Sequence, residues 1–506
     1  MELNKLYNRF FSKPHPRVVP KYTMELTAAA VKDIFKDCSD FQTRELSIGG
    51  DKTGLVTLLY FDGLVDGTFL SGNVIRPLTD DARLSGHSGS RACMDYILQG
   101  AVFANSVSEK NTVDDVVEAI VKGFSVIIFD KENSSIAFET RSGAQRSISE
   151  PNIEKAVKGA KDAFVERLRT NTMLVRRKLR TPDLKMQRQI VGRRSDTEIA
   201  IAYVEGIANP QTVKDLARRL DSIDIDGLLA TGNIEEYISD HPNSPFPLTL
   251  YTERPDRFAI NLLEGRVGIL IDGLPIGLLV PGTLAEMMRV PEDRAQHFII
   301  SSFLKFLRYI AAFITVMLPA VYVATSMYHQ EMIPLRLLLS IISSKQQVPF
   351  STALEIIGML LAFELLQEAG FRLPNPIGES VSIIGALIVG QSAVEAKIVS
   401  PIAVIVVAIA GLTGYTVPNQ DLGAALRMCR FFMVFCALFA GMFGITVGMV
   451  LICYHLCSLE SFGVSYLSPL TDSNSLGVFS LLFSLPLRRD KMRQPDMKTP
   501  DKRNQA

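Results

Sequence analysis

The chain has 506 residues with 53 Lys/Arg and 53 Asp/Glu, so its formal net charge is zero, and 47% of its residues are hydrophobic. That length suits about three or four domains, and the balanced charge excludes a global pull toward nucleic acid. The charge is unevenly spread: residues 1–297 carry 38 basic and 41 acidic side chains, but 298–486 carry only 8 and 9. The expected fold class is therefore α+β, a charged N-terminal module followed by an α-helical transmembrane bundle.

Residues 1–34 read as an N-terminal arm. Lys5, Arg9, Lys13, Arg17 and Lys21 punctuate it and it has no long apolar core. It does not resemble a secretory signal peptide, so the module is expected to stay in the cytoplasm. Cys38 and Cys93 are isolated, and Cys429, Cys436, Cys453 and Cys457 fall in one apolar stretch, so the six cysteines do not form a disulfide framework.

Two strand-like segments recur in the same order. Leu58-Leu59-Tyr60-Phe61-Asp62-Gly63-Leu64-Val65 matches Ile201-Ala202-Tyr203-Val204-Glu205-Gly206-Ile207-Ala208 at an offset of 143. Residues 123–130 match 265–272 at an offset of 142. Two related α/β subdomains are expected, 35–150 and 195–297. Each has a strand ending in an acid-Gly turn, helices near 113–122 and 211–221, and a return to a buried strand.

Between them, 151–194 reads as a basic helical linker. Ile153, Val157, Ala160, Phe164 and Leu168 recur at helical spacing. Thirteen Lys/Arg lie between Lys155 and Arg194. No aromatics are interleaved for base stacking, so a solvated face or subunit contact is preferred to nucleic-acid binding.

The transmembrane domain is placed at 298–458, with candidate segments at 304–326, 351–369, 381–397, 400–417 and 427–457. Lys305 and Arg308 at the first span favour a cytoplasmic entry, and Pro319 is expected to kink it. The boundary at 292–308 is the expected coupling point between module and bundle. In the last helix, Ala440, Gly444 and Gly448 put small residues on one face for close packing. That helix exceeds the roughly 20 residues a bilayer needs, so it is tilted or projects. The tail, 459–506, ends with seven basic and three acidic residues in 487–506 and is placed in the cytoplasm. Both ends inside require an even number of crossings. Segment 351–369, which carries Glu355, Glu364 and Glu368, is then the odd one out: re-entrant, peripheral or a shielded lining helix. Arg427 and Arg430 fall at the outer end under this scheme, against the positive-inside rule.

The polar groups of the bundle are the functional leads. Gln391 and Glu395 share a helix face, with Ser392 beside them and Lys397 ending the segment. Glu364 and Glu368 share another. Repeated around an axis, such faces make polar rings that favour cations; interhelical hydrogen bonds and interfacial charges are the other reading, and helix geometry leaves both open. No Walker loop, dinucleotide fingerprint, nucleophile elbow or zinc-protease helix occurs. Cys453, His455 and Cys457 do not make a metal set, because His455 points away from the cysteine face. No cofactor and no enzymatic activity are expected.

Several motifs carry a family resemblance: Arg169-Thr170-Asn171, Arg176-Arg177, Val191-Gly192-Arg193-Arg194-Ser195, Tyr251-Thr252-Glu253-Arg254-Pro255-Asp256-Arg257 and Asn261-Leu262-Leu263-Glu264-Gly265-Arg266-Val267. Phe303-Leu304-Lys305-Phe306-Leu307-Arg308-Tyr309, Glu331-Met332-Ile333-Pro334, Gly390-Gln391-Ser392-Ala393-Val394-Glu395-Ala396 and Ser461-Phe462-Gly463-Val464-Ser465-Tyr466-Leu467-Ser468-Pro469 continue it. Over roughly 150–470 the chain resembles the A subunits of GerA-type spore germinant receptors. The resemblance implies a subunit in the inner membrane of endospores. Its partners would be a transporter-like B subunit that binds nutrient and a lipoprotein C subunit. It also implies a homo-oligomer forming a nutrient-gated cation channel; a membrane-anchored signalling scaffold is the alternative. Lys397 and Ser392 depart from the family pattern, which has a small residue and alanine there.

Overall fold

The computed structural model describes residues 21–48, 55–80, 84, 90–102, 104, 106–141, 151, 154, 158–372, 390–471, 481–484 and 492–504. Most of the expected arm (1–20) and residues 381–389 of the third expected span lie outside them.

Helix α1 (Ala28–Ile34) precedes two five-stranded antiparallel sheets. The first holds β1 (Phe41–Ser47), β2 (Leu55–Phe61), β3 (Val107–Lys110), β4 (Phe124–Phe129) and β5 (Ser134–Glu139), in the order β1-β2-β4-β5-β3. The second holds β6 (Leu184–Val191), β7 (Thr197–Val204), β8 (Leu250–Thr252), β9 (Val267–Ile271) and β10 (Gly277–Val280), in the order β6-β7-β9-β10-β8. The two orders are the same strand for strand. The recurring sequence segments fall on equivalent strands, β2 with β7 and β4 with β9, and the central pairs correspond: Leu58 opposite Ile127, Ile201 opposite Ile269.

Side chains alternate between sheet faces, and both sheets use the alternation to bury two faces. Leu58, Ile127 and Ile136 point to one core of the first sheet, while Leu59, Val126 and Ala137 point to another. In the second sheet Ile199, Ile201 and Ile269 face outward, under α4 (Pro210–Asp221). Ala200, Ala202 and Leu270 share the core of Leu59 and Val126. That shared core contains α2 (Val113–Val121), α3 (Leu168–Lys178) and α6 (Pro255–Leu263), and it runs on into the bundle through Met287, Tyr322 and Met433. Helix α5 (Thr231–Ile238) lies on the outer side with α4.

The linker is less helical than its periodicity suggests. Among the described linker residues the helix is α3 alone; residues 160–167 are irregular, and β6 already belongs to the second sheet. Long-range bonds displace the helix. Phe164 N donates to Glu253 O at 2.8 Å, Gly273 N to Glu166 O at 2.7 Å, and Leu168 N to Asp272 Oδ1 at 2.9 Å. Phe164 stacks edge-on against Phe258, with ring centroids 5.5 Å apart. Many linker cations are taken up inside the chain: Arg169 by Asp62, Arg176 by Asp40, Lys178 by Asp162, Arg188 by Glu198 and Arg193 by Asp224.

The apolar part begins with α7 (Phe298–Met327), which runs uninterrupted through Pro319. α8 (Leu335–Lys345), α9 (Thr352–Arg372), α10 (Pro401–Gly414) and α11 (Gln420–Ser458) follow. By length and composition α7 and α11 are apolar enough to cross a membrane. α9 begins with Glu355 beside Ser400, at the start of α10. Thr413, near the end of α10, bonds Thr315 in the middle of α7 at 2.9 Å.

α11 is not one straight or tilted rod. Ala440 (φ −138°, ψ 15°) and Gly441 (φ 57°, ψ −135°) leave helical geometry. The second half folds back on the first: a Cβ on Gly448 would lie 2.8 Å from Met433 Sδ and 3.4 Å from Cys436 Cβ. In a straight helix these residues would be about 18–22 Å apart. Gly444 and Gly448 do provide close packing, but within the hairpin. Ala440 sits at the break and so leaves the small-residue face on which its spacing had placed it.

The described residues beyond the bundle pack back on the module. A short hairpin of β11 (Glu460–Ser461) and β12 (Val464–Ser465) docks on the second sheet unit. Ser461 Oγ donates to Leu248 O at 2.9 Å, and Leu284 N donates to Tyr466 O at 2.9 Å. Farther on, Arg493 Nε donates to Leu263 O at 2.8 Å and Asp501 N to Gly206 O at 3.2 Å.

Candidate functional site

Gln391, Ser392 and Glu395 lie in a helical turn at 390–395, and all three are exposed. Gln391 Nε2 donates to Glu395 Oε1 at 2.9 Å, the i,i+4 contact that their spacing predicts. Lys397, also exposed, closes the turn at φ 56°, a left-handed position where glycine is the favoured residue. The structure thus joins Gln391 to Glu395 and leaves all four side chains exposed in the isolated chain.

Glu364 and Glu368 lie one turn apart on α9 but differ in exposure. Glu364 is half-buried and held internally, by Arg430 in a short ion pair and by Arg427 Nε at 3.3 Å. Glu368, one turn on, is exposed. Sequence reasoning missed the Arg430 contact, which spans 66 residues. Arg430 is 1% exposed, so its pairing is a requirement of burial.

The junction is a second site, and the expected coupling segment lies within it. Arg308 on α7 forms an ion pair with Asp293 and donates to Met288 O at 2.8 Å. Below it, Glu264 meets Arg266 at 2.8 Å and Arg289 at 3.6 Å, and Glu286 meets Arg289 at 2.9 Å. Arg266 is fully buried; Nη1 also reaches Asn261 Oδ1 at 2.9 Å, and Nε reaches Pro281 O at 3.2 Å. Arg254 pairs with Asp256, and Arg257 with Glu154. The resemblance motifs at 251–257 and 261–267 therefore build the ion network beneath the bundle.

Burial opposes the charge on Glu286. Arg289, Arg266, Arg257 and Arg294 outweigh it and hold the carboxyl at about 2, below its ordinary 4.5. A depressed carboxyl contributes stability that is complete above 4.5 and lost as pH falls through 2. The thermal midpoint should therefore fall between pH 4.5 and 2, and Glu286→Gln should flatten that part of the profile while lowering the midpoint near neutrality. Calorimetry of both chains across this range checks it.

α11 meets the module at both its ends. Gln420 and Asp421 approach Tyr251, whose hydroxyl is pushed up to about 12 by burial and then by the Asp421 charge. His455 Nε2 lies 2.9 Å from Ser244 Oγ, with its ring beside Phe246. The far end of the hairpin meets the end of α7, where Tyr328 Oη donates to Leu438 O at 2.5 Å.

Fold and sites together define a membrane-associated protein in which a two-sheet α/β module is fastened by a buried ion network to a bundle of apolar helices. Residues 29–496 match the family model of the Bacillus/Clostridium GerA spore germination protein, and the chain belongs to that family. It is 36% identical over 468 residues to spore germination protein KA of Bacillus subtilis (strain 168), covering 92% of this chain and 85% of that one. It is 38% identical over 421 residues to spore germination protein B1 of the same organism, covering 83% and 86%. It is 35% identical over 440 residues to spore germination protein GerLA of Bacillus cereus, covering 87% and 88%. Among solved structures, the N-terminal domain of the A subunit of the Bacillus megaterium spore germinant receptor GerK3 is similar at 30% identity and a TM-score of 0.39, covering 50% of this chain and 92% of that one.

Proposed function

We propose that this chain is the A-type subunit of a spore nutrient receptor and that it oligomerises into a germinant-gated cation channel. It sits in the inner membrane of the endospore as a multi-pass protein, with the α/β module and the C-terminal segment in the cytoplasm. Nutrient is bound by a transporter-like B subunit, and a lipoprotein C subunit completes the receptor. Family membership supports the receptor role. The observation that carries the channel reading is the Gln391–Glu395 pair: a hydrogen-bonded polar face, exposed in the isolated chain, within the apolar part. Repeated around a symmetry axis it forms a carboxylate ring selective for cations. Glu364 is not part of that path in this reading, because Arg430 and Arg427 occupy it.

Reconstituted receptor should pass monovalent cations when nutrient is added, and Glu395→Gln should reduce that current several-fold while leaving the oligomer intact. A Glu395→Gln current equal to that of the wild type removes Glu395 from the path. A complete receptor that binds nutrient but never conducts favours the scaffold, in which the bundle anchors and the junction relays. The fastening of the module at Arg308 and at His455 is the observation that speaks for that second reading.

A further inference from the structure

The two halves of the module repeat more than their sheets. Asp130 Oδ1, just after β4, accepts from Ala28 N at the start of α1 at 2.7 Å. Asp272 Oδ1, just after β9, accepts from Leu168 N at the start of α3 at 2.9 Å. Asp62 N donates to Asp40 O at 2.8 Å, and Glu205 N donates to Asp183 O at 2.7 Å. So α1 corresponds to α3, Asp40 to Asp183 and Asp62 to Glu205. At equal distance from the capped residues, Arg176 corresponds to Lys36, just past α1, and Arg169 to Ala29. The leading helices are exchanged between the halves. α3 reaches back to the first half, where Arg176 pairs with Asp40 and Arg169 with Asp62. α1 lies against the second half, where Lys185 Nζ donates to Ile34 O at 2.6 Å, but it brings no arginine.

What is left in the second half is a cleft of about 250 Å³, whose charged lining is Asp33, Lys36, Asp37, Asp183, Lys185 and Glu205. In the first half the Arg176 guanidinium lies 3.9 Å over the Phe61 ring. The strand registers match Phe61 with Val204, so the second half lacks both the ring and the guanidinium. Lysines do not close the gap. Asp183 takes Lys21 at 2.7 Å in a pair whose side chains are 55% and 41% exposed, and Glu205, 62% exposed, lies 3.3 Å from Lys185. Exposed pairs of this kind hold little stability and are easily displaced. Four carboxylates against Lys36, Lys185 and Lys21 at the rim leave one negative charge in excess. We propose that this cleft receives a guanidinium group, from a free compound or from an arginine of another chain, held by Asp183 and Glu205 as Asp40 and Asp62 hold Arg176 and Arg169. A planar guanidinium offers paired N–H groups to a carboxylate, which an ammonium cannot do. The internal twin thus names the ligand chemistry that the carboxylates alone would leave open.

This site goes beyond the receptor reading, and neither nutrient nor current enters its test, so the two stand or fail separately. In full-length protein in detergent at constant ionic strength, millimolar butylguanidinium should raise the thermal midpoint by several degrees more than butylammonium, which has the same charge and chain. Asp183→Asn should abolish that difference. Lys36→Arg rebuilds the arrangement of the first half from within, so it should raise the midpoint by itself and leave butylguanidinium without effect. N-acetylargininamide and free arginine separate the two sources: a larger rise with the blocked compound means an arginine of another chain, and a larger rise with the amino acid means a free compound. Equal midpoints in the two butyl cations, or an Asp183→Asn chain that still prefers the guanidinium, overturn the proposal and leave the cleft to solvent.

Discussion

Gly441→Ala should open the hairpin of α11. Gly441 sits at φ 57° and ψ −135°, close to a region reserved for glycine, where another residue costs on the order of 1–3 kcal/mol. A Cβ there would also press to 3.1 Å against His329 Nε2 and Tyr328 Cβ. Alanine favours the straight helix by roughly another 1 kcal/mol. Both terms act in the same direction, and a straight α11 of 39 residues would measure about 58 Å, far more than the roughly 30 Å of a hydrocarbon core. The measurement uses the native Cys436. In Gly448→Cys the new Cβ lies 3.4 Å from Cys436 Cβ, near the separation a disulfide needs. Oxidation should cross-link Gly448→Cys almost completely, read by the loss of maleimide-reactive thiols, and the added Gly441→Ala should cut the yield severalfold. Equal yields would mean that the reversal does not depend on glycine.

The reversal also explains why the positive-inside rule gave a conflict in the sequence. With 427–457 taken as a single crossing, Arg427 and Arg430 fell at the outer end. The fold starts α11 next to Tyr251 and returns it next to Ser244, so the two arginines belong to the outgoing leg, on the side of Lys305 and Arg308. With the module on the cytoplasmic side, as proposed, the reversal at Gly441 brings the two arginines into agreement with the rule.

Such a residue is hard to read from sequence. An isolated glycine in an apolar helical run fits a straight helix, and Ala440, Gly444 and Gly448 make a small-residue stripe that suits one. What selects the break is packing against Tyr328 and His329, more than a hundred residues earlier. The sheets were legible because strand periodicity and acid-Gly turns are local: both matched segment pairs fall on equivalent strands. The linker misled for the same reason α11 did. Phe164 sits at helical spacing, but its partner Phe258 and the backbone of Glu253 decide its conformation. The Gln391–Glu395 contact was legible because it is one helical turn long. The Glu364–Arg430 contact was not legible, because the partner is on another helix.

The same contrast between local pattern and distant partner makes Arg176 the residue whose loss should weaken the module most. From α3 it donates bidentately to Asp40 ahead of β1, with Nη2 to Oδ1 at 2.7 Å, and Nη1 donates to Leu184 O at the start of β6 at 3.2 Å. Its guanidinium lies 3.9 Å over the ring of Phe61 at the end of β2. It is 3% exposed and Asp40 10%, so one side chain ties both sheets together out of water. Arg176→Ala leaves the Asp40 carboxylate buried and unpaired, at a cost of about 3–5 kcal/mol. For a module of this size that lowers the thermal midpoint by on the order of 10 °C. Arg176→Lys should recover only part of the loss, since an ammonium cannot make the planar fork or stack on Phe61. Arg176→Met with Asp40→Leu should be milder than Arg176→Ala alone, because no charge is left stranded. If Arg176→Ala melts within two degrees of wild type, the sheets are held by the shared apolar core, and the basic run of the linker has no structural centre at Arg176.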